Sequence, residues 1–185
     1  MKKADGKQIM SARTMQRALK KMVSEIANAN EDLDQVRLVG IRKRGEPLAE
    51  RMSKLLFQAE EVETPVGVLD ITLYRDDVGM SYPNPVVGPT NIDFKVTGKV
   101  IVLVDDVLYT GRTVRAALDA IMDFGRPAAI QLAVLIDRGL RELPITADYV
   151  GKRIETDHSQ TVQVNLQEED DEDSVYLRKG KKEEE

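Results

Sequence analysis

The sequence predicts an α/β fold: a doubly wound, mostly parallel sheet flanked by helices. Three observations carry that expectation. Apolar runs recur at residues 36–41, 66–73, 100–104 and 130–136, and unbroken runs of this length suit strands buried on both faces. Between them lie segments whose apolar residues fall three and four apart, the spacing of a helix covering a sheet. Loops rich in small, hydroxyl and charged residues follow the strands, and ligands of open parallel sheets bind outside the carboxyl ends of the strands.

Element by element, residues 1–9 are polar and expected to fray. Met15, Leu19, Met22 and Ile26 set an amphipathic helix from Ser11, its N-cap, to about Asn28. Val36 to Ile41 reads as the first buried strand. Gly45 and Pro47 break it, and Pro47 suits the first turn of a helix running to about Gln58. Val66 to Leu73 is a second strand. Residues 74–98 contain Gly79, Pro83, Pro85, Gly88 and Pro89 with little periodicity, and a long loop inside a compact domain is usually functional. Its 75–90 portion is expected to be loosely ordered without ligand and protected with it. Val100 to Val104 is the next strand. A helix from Gly111 to Phe124 follows, packed through Ala116, Ala117, Ala120 and Ile121 and ended by Gly125 and Pro127. Ile130 to Ile136 is another strand, and Tyr149–Val150 and Thr161–Leu166 are short late strands.

A chain of 185 residues suits one domain, placed at residues 1–166, with a charged tail at 167–185. The formal charge of −5 argues against a generic nucleic-acid binder, but the acids of Glu168 to Asp173 and Glu183 to Glu185 dominate it. Without those nine the remainder carries +4, a mildly basic body with an acidic end. The absence of Cys removes disulfide frameworks and thiolate metal sites. A single His argues against His-based metal centres and Ser-His triads. No apolar run approaches the roughly 20 residues of a membrane span and no leader pattern opens the chain, so a cytoplasmic location without membrane partners is expected.

The chemistry concentrates in Ile101-Val-Leu-Val-Asp-Asp-Val-Leu-Tyr-Thr-Gly-Arg-Thr113. A buried strand ends in two carboxylates. A loop of Tyr109, Thr110, Gly111, Arg112 and Thr113 then enters a helix. Free backbone N–H groups and the positive end of a helix dipole suit a phosphate. Asp105 and Asp106 would repel a phosphate but accept hydrogen bonds from hydroxyls. A ligand with a phosphate at one end and a ribose diol beside it satisfies both halves. No G-x-x-x-x-G-K-[ST] and no G-x-G-x-x-G after a strand occurs, which excludes the commoner nucleotide loops. Arg42, Lys43 and Arg44 follow the first strand as a second anion site, and Arg75 opens the long loop. Asp137 and Arg138 follow Ile136 at a third strand end, where backbone groups can read the edge of a flat base.

The Asp105–Thr113 loop resembles the phosphoribosyl-pyrophosphate (PRPP) loop of type I phosphoribosyltransferases. Together with Val39-Gly-Ile-Arg-Lys-Arg-Gly45, Asp70-Ile-Thr-Leu-Tyr-Arg-Asp-Asp77, Gln131-Leu-Ala-Val-Leu-Ile-Asp-Arg-Gly139 and Arg141-Glu-Leu-Pro-Ile-Thr-Ala-Asp-Tyr-Val-Gly-Lys152, the chain from Ser11 to Val164 resembles the bacterial pyrimidine-regulatory (PyrR) family. The resemblance implies a type I phosphoribosyltransferase fold with a small hood and a long flexible loop. It implies transfer of ribose 5-phosphate from PRPP to uracil, giving UMP and pyrophosphate, with Mg²⁺ carried by PRPP. It also implies dimers or tetramers, and binding to pyrimidine leader mRNA governed by UMP or UTP. On that reading Tyr109, Thr110, Gly111, Arg112 and Thr113 take the phosphate end of PRPP. Asp105 and Asp106 take the ribose hydroxyls and serve catalysis. Arg42, Lys43, Arg44 and Arg75 take the pyrophosphate, and Ile136, Asp137 and Arg138 the base. Arg17, Lys20, Lys21, Arg141, Lys152 and Arg153 are the candidate RNA contacts. Leu140, Thr146 and Ser24 stand where the family carries His, Arg and His, and Glu155 and Asp157 add negative charge, so RNA binding is expected to be weak. The alternative is a uridine-nucleotide-sensing RNA attenuator with little catalytic role. A purine or orotate phosphoribosyltransferase differs only in the base loop.

Overall fold

The computed structural model describes residues 6–77 and 88–179. Five strands form a wholly parallel sheet in the order β3-β2-β4-β5-β6: β2 is Val36–Ile41, β3 Val66–Leu69, β4 Val100–Leu108, β5 Ala129–Asp137 and β6 Tyr149–Arg153. The doubly wound sheet expected from the apolar runs is therefore present. Successive residues of the central strand pack on opposite faces. Val102 and Val104 join the core under helices α1 (Ala12–Ala29) and α2 (Gly45–Glu60), with Met15, Met22 and Met52. Ile101 and Leu103 join the core under α3 (Arg112–Met122), with Ala116, Ala117 and Ile121. Both cores exclude water, which is why the strands read as continuous apolar runs rather than alternating ones.

Local chemistry sets the helix starts. Ser11 caps α1, accepting from the Thr14 amide while the Thr14 hydroxyl accepts from the Ser11 amide, a reciprocal capping box. Gly45 opens α2 pressed against β4, where a Cβ would lie 2.2 Å from the Val104 carbonyl oxygen. No side chain fits there, and the close approach brings the cationic loop 42–44 beside the two aspartates.

Several expectations are corrected. β4 continues to Leu108, so both aspartates lie within the strand rather than after it. β3 stops at Leu69 and a 3-10 turn at Thr72–Tyr74 takes the remainder of that apolar run. The fraying start contains strand β1, Lys7–Ser11. The stretch read as a charged tail is folded through residue 179. Gln167–Asp170 is a short helix, α4, and Ser174–Lys179 is β8, the middle strand of an antiparallel sheet β1-β8-β7 with β7 at Gln160–Asn165. Val175 at its centre is fully buried against Met10, Val164 and Leu166. The acids before it are anchored on arginines. Arg51 bonds Glu168 (2.8 and 2.5 Å) and Asp173 (2.9 and 2.7 Å). Arg44 bonds Asp170 at 2.9 and 3.3 Å. A run of like charge reads as solvated because sequence alone does not show the cations that meet it in space. The middle of the long loop lies outside the described residues.

Candidate active site

The loop after β4 has the geometry its composition suggests. Gly111 adopts φ +95°, a left-handed conformation that turns the chain into α3, and a Cβ there would crowd Ile145 and Leu143. The Thr110 hydroxyl accepts from the Arg112 amide at 3.3 Å. The Thr110 carbonyl accepts from the Glu142 and Leu143 amides at 3.0 and 3.1 Å, so the loop after β5 is stitched to the loop after β4 through the backbone. A cavity of about 630 Å³ opens over this turn, lined by Tyr109, Thr110, Gly111, Arg112 and Thr113 together with Arg75.

A second cavity of about 480 Å³ adjoins it, sharing Arg75, Val107 and Thr113. Arg42, Lys43, Asp105 and Asp106 line it. The Arg42 guanidinium contacts Glu46 at 3.4 Å, while its Nε is buried without a hydrogen-bond partner among the described residues. The Arg42–Lys43 peptide bond is cis. Asp70, Thr72 and Gly88 also line this space and were not singled out from sequence. The Asp70 carboxylate accepts from the Thr72 amide at 2.7 Å and the Gly88 amide at 2.5 Å, joining the two ends of the long loop. Burial would push its pKa up; the bonds from Thr72 and Gly88 and the nearby Arg42 outweigh this and hold it below the usual carboxylate range. An acid at the end of a strand opposite returning glycine was the available signal.

Asp105 is 7% exposed. Burial, reinforced by the charge of Asp106, drives its pKa well above the usual range. Asp106 is raised by burial too, with Arg44 pulling it back. Two desolvated carboxylates side by side favour a ligand that donates hydrogen bonds or brings a cation.

Not every cation has the geometry expected of it. Arg44 is held by Asp170 and does not line the second cavity. Arg75 is paired with Asp77 at 2.6 and 2.8 Å. Arg112 bridges Asp76 at 2.5 Å and Glu142 at 2.6 Å, so its side chain ties the stem of the long loop to the base loop. Ile136 is fully buried in the core. The Asp137 carboxylate accepts from Arg141 at 2.5 Å and from the Gly139 amide at 3.1 Å. Arg138 is 5% exposed and bonds the Thr156 hydroxyl and the carbonyls of Asp157 and Gln160. Arg141 donates to the carbonyls of Tyr109, Gly139 and Ile145, which makes it a brace of the base loop rather than a surface cation. The other candidate RNA contacts cluster where α1 packs on β6. Lys21 donates to the Val150 carbonyl at 3.2 Å and pairs with Glu25. Lys152 donates to the Ile9 carbonyl at 2.7 Å, and Arg17, Lys20 and Arg153 are exposed.

Comparison with known proteins agrees with this geometry. Residues 5–169 match the model of the phosphoribosyl transferase domain family. A Roseiflexus protein named Bifunctional protein PyrR is 58% identical over 164 residues, covering 89% of this chain and 90% of its own. Namesakes from Chloroflexus aurantiacus and Thermus thermophilus are 57% and 55% identical, covering 94% and 92% of this chain and 96% and 94% of their own. Among solved structures, a hypoxanthine phosphoribosyltransferase of Trypanosoma cruzi superposes with a TM-score of 0.72 at 15% identity, over 96% of this chain and 98% of that one. A likeness at that identity speaks for the fold alone. The domain match over most of the chain and more than half of all aligned residues shared with these relatives place it plainly: the chain belongs to the phosphoribosyl transferase family, among the PyrR proteins.

Proposed function

We propose that the protein transfers ribose 5-phosphate from PRPP to uracil, releasing UMP and pyrophosphate, and that it regulates pyrimidine genes through uridine-nucleotide-governed binding to their leader mRNA. The observation that carries the catalytic half is the pair of adjoining cavities that share Arg75, Val107 and Thr113, the second of them lined by Asp105 and Asp106. One lies over the N-terminus of α3, suited to a 5-phosphate. The other is lined by Arg42 and Lys43, with a buried guanidinium nitrogen awaiting an acceptor, suited to pyrophosphate. Asp105 and Asp106 in that same second cavity suit the ribose hydroxyls. The names of the relatives support the regulatory half and uracil as the base.

Catalysis in this arrangement is orientation and electrostatics. The helix amides and Thr110 and Thr113 fix one end of PRPP, and Arg42 and Lys43 take up the charge that accumulates on the departing pyrophosphate. Asp105 and Asp106 hold the ribose and lie near the positive charge that develops on it. N1 of uracil replaces pyrophosphate at C1 of the ribose and its proton leaves to solvent. Arg44 acts from behind Asp106, and Arg75 reaches the pyrophosphate only by releasing Asp77. The residues present fit Mg²⁺ as PRPP brings it. The desolvated Asp105–Asp106 pair favours a cation, while no cluster of three or more carboxylates or histidines exists among the described residues. Oxygens of PRPP and water would complete its shell, and the ion would neutralise pyrophosphate charge.

Incubation with PRPP, Mg²⁺ and a panel of bases tests the reading. UMP from uracil is expected, with no nucleotide from adenine, hypoxanthine or orotate. Preferred turnover of a purine would overturn the base assignment.

A further inference from the structure

The only histidine of the chain sits at the crown of the turn Asp157–Gln160, and that turn grips Tyr109 of the phosphate loop from two directions. The Tyr109 hydroxyl meets His158 Nδ1 at 3.2 Å. The Arg138 guanidinium lies over the Tyr109 ring, 4.1 Å from its centroid. The same guanidinium donates to the Asp157 and Gln160 carbonyls at 3.0 and 2.8 Å, which are the two ends of the turn carrying His158. The turn is also closed on itself: the Gln160 amide donates to the Asp157 carbonyl at 3.2 Å, and the Asp157 carboxylate accepts from the Ser159 amide at 2.8 Å. The Tyr109 carbonyl is fixed by Arg141 at 2.8 Å. The carbonyl, one side of the ring and the hydroxyl of Tyr109 are thus committed, none of them to residues 110–113.

A phenol held in this way cannot turn its hydroxyl to a phosphate at the start of α3. Its ring instead lies against Arg138, which belongs to the loop after β5, and lines the cavity of about 630 Å³ over the turn into α3. We propose that Tyr109 is a wall of the subsite for the flat base rather than a phosphate ligand, and that His158 is a positioning residue that sets the plane of its ring. The proposal rests on the uracil phosphoribosyltransferase reading and adds two residues to it: Tyr109 with a different role and His158, to which the sequence pointed in no way. A planar heterocycle is the ligand chemistry such a wall takes, through stacking and exclusion of water from its face.

The assignment separates the two substrates. His158→Ala is expected to raise KM for uracil by about three- to tenfold, the effect of one lost hydrogen bond, and to leave KM for PRPP and the melting temperature unchanged. Tyr109→Phe is expected to match it. The double variant is expected to be no worse than either single one, because both remove the same contact. His158→Asn, whose amide nitrogen occupies the place of Nδ1, is expected to restore most of the loss. With one histidine in the chain, the imidazole C2 proton is a resolved NMR signal, and Tyr109→Phe is expected to shift it in the free protein. An unchanged KM for uracil in His158→Ala, an equal rise in KM for PRPP, or a histidine signal indifferent to Tyr109→Phe would each overturn the proposal. Failure of the underlying reading gives a different result: the wild-type protein would form no UMP at all, whatever the histidine signal does.

Discussion

Replacing Asp105 and Asp106 together by asparagine is expected to separate activity from stability. Both carboxyls have native pKa values raised by burial, whereas unfolded aspartate titrates near 3.9, roughly its ordinary value. Between that value and the raised native ones, the native state holds protons the unfolded chain has released. Stability therefore falls as pH rises through that window and stays reduced at neutral pH. The double variant is expected to melt at a higher temperature than the wild type at pH 7, with the difference vanishing below pH 4. Its turnover is expected to fall at least tenfold, about 1.4 kcal/mol of transition-state stabilisation. Melting curves and steady-state rates check both halves, and a lower melting temperature at pH 7 would contradict the first. These two aspartates were legible in sequence because a pair of acids after a buried strand has little structural reason to exist. The arginines were not. Arg138 and Arg141 look alike on paper, yet Arg138 is engaged by residues 156–160 and Arg141 by its own loop. Only the fold decides whether a guanidinium meets carbonyl oxygens or water.

At the scale of elements, the parallel sheet was plain from its apolar runs and the small sheet was not. β8 is short, follows six consecutive acids and pairs with strands more than a hundred and sixty residues away at one edge and nine at the other. Non-local pairing of this kind leaves no periodic trace. Its anchor is Arg51, 19% exposed, whose pKa is raised by its bonds to Glu168 and Asp173 against the cost of burial. Arg51→Ala leaves two carboxylates facing each other across an empty place and is expected to destabilise the protein by about 1.5–3 kcal/mol, the range for hydrogen bonds to charged groups. Arg51→Lys, a point charge that cannot bond both acids in fork geometry, is expected to fall between. Denaturant unfolding checks the order, and equal stability of Arg51→Ala and wild type would remove the anchor.

For the molecule as a whole, the basic face is smaller than the sequence suggests. Of six cations assigned to RNA, Arg141 is internal and Lys21 and Lys152 are partly committed to backbone carbonyls. Arg17, Lys20 and Arg153 remain exposed around the seam of α1 and β6. Binding to a pyrimidine leader RNA is expected to be weak at physiological salt and stronger with UMP or UTP. Each of Arg17→Ala, Lys20→Ala and Arg153→Ala is expected to reduce the slope of log affinity against log salt by roughly 0.7 to 0.9. Arg141→Ala is expected to leave that slope unchanged while weakening the base loop. Filter binding at several salt concentrations decides. Nanomolar, nucleotide-dependent affinity with a steep slope would show that the remaining cations suffice.

The pairing of β1 with β8 also fixes an order of events during synthesis. Lys7 lies opposite Leu177 and Ser11 opposite Ser174. β1 has no partner until β8 has emerged. The parallel sheet, whose strands end at Arg153, can assemble earlier, with β1 waiting in solvent. A nascent chain stalled before residue 173 would carry the loop after β4 complete but Arg51 without its Asp173 and the edge of β7 uncovered. Such a chain exposes an unpaired strand edge, a template for association with other chains. Emergence of β8, rather than formation of the loops after the parallel strands, is then the step that makes this protein safe to release.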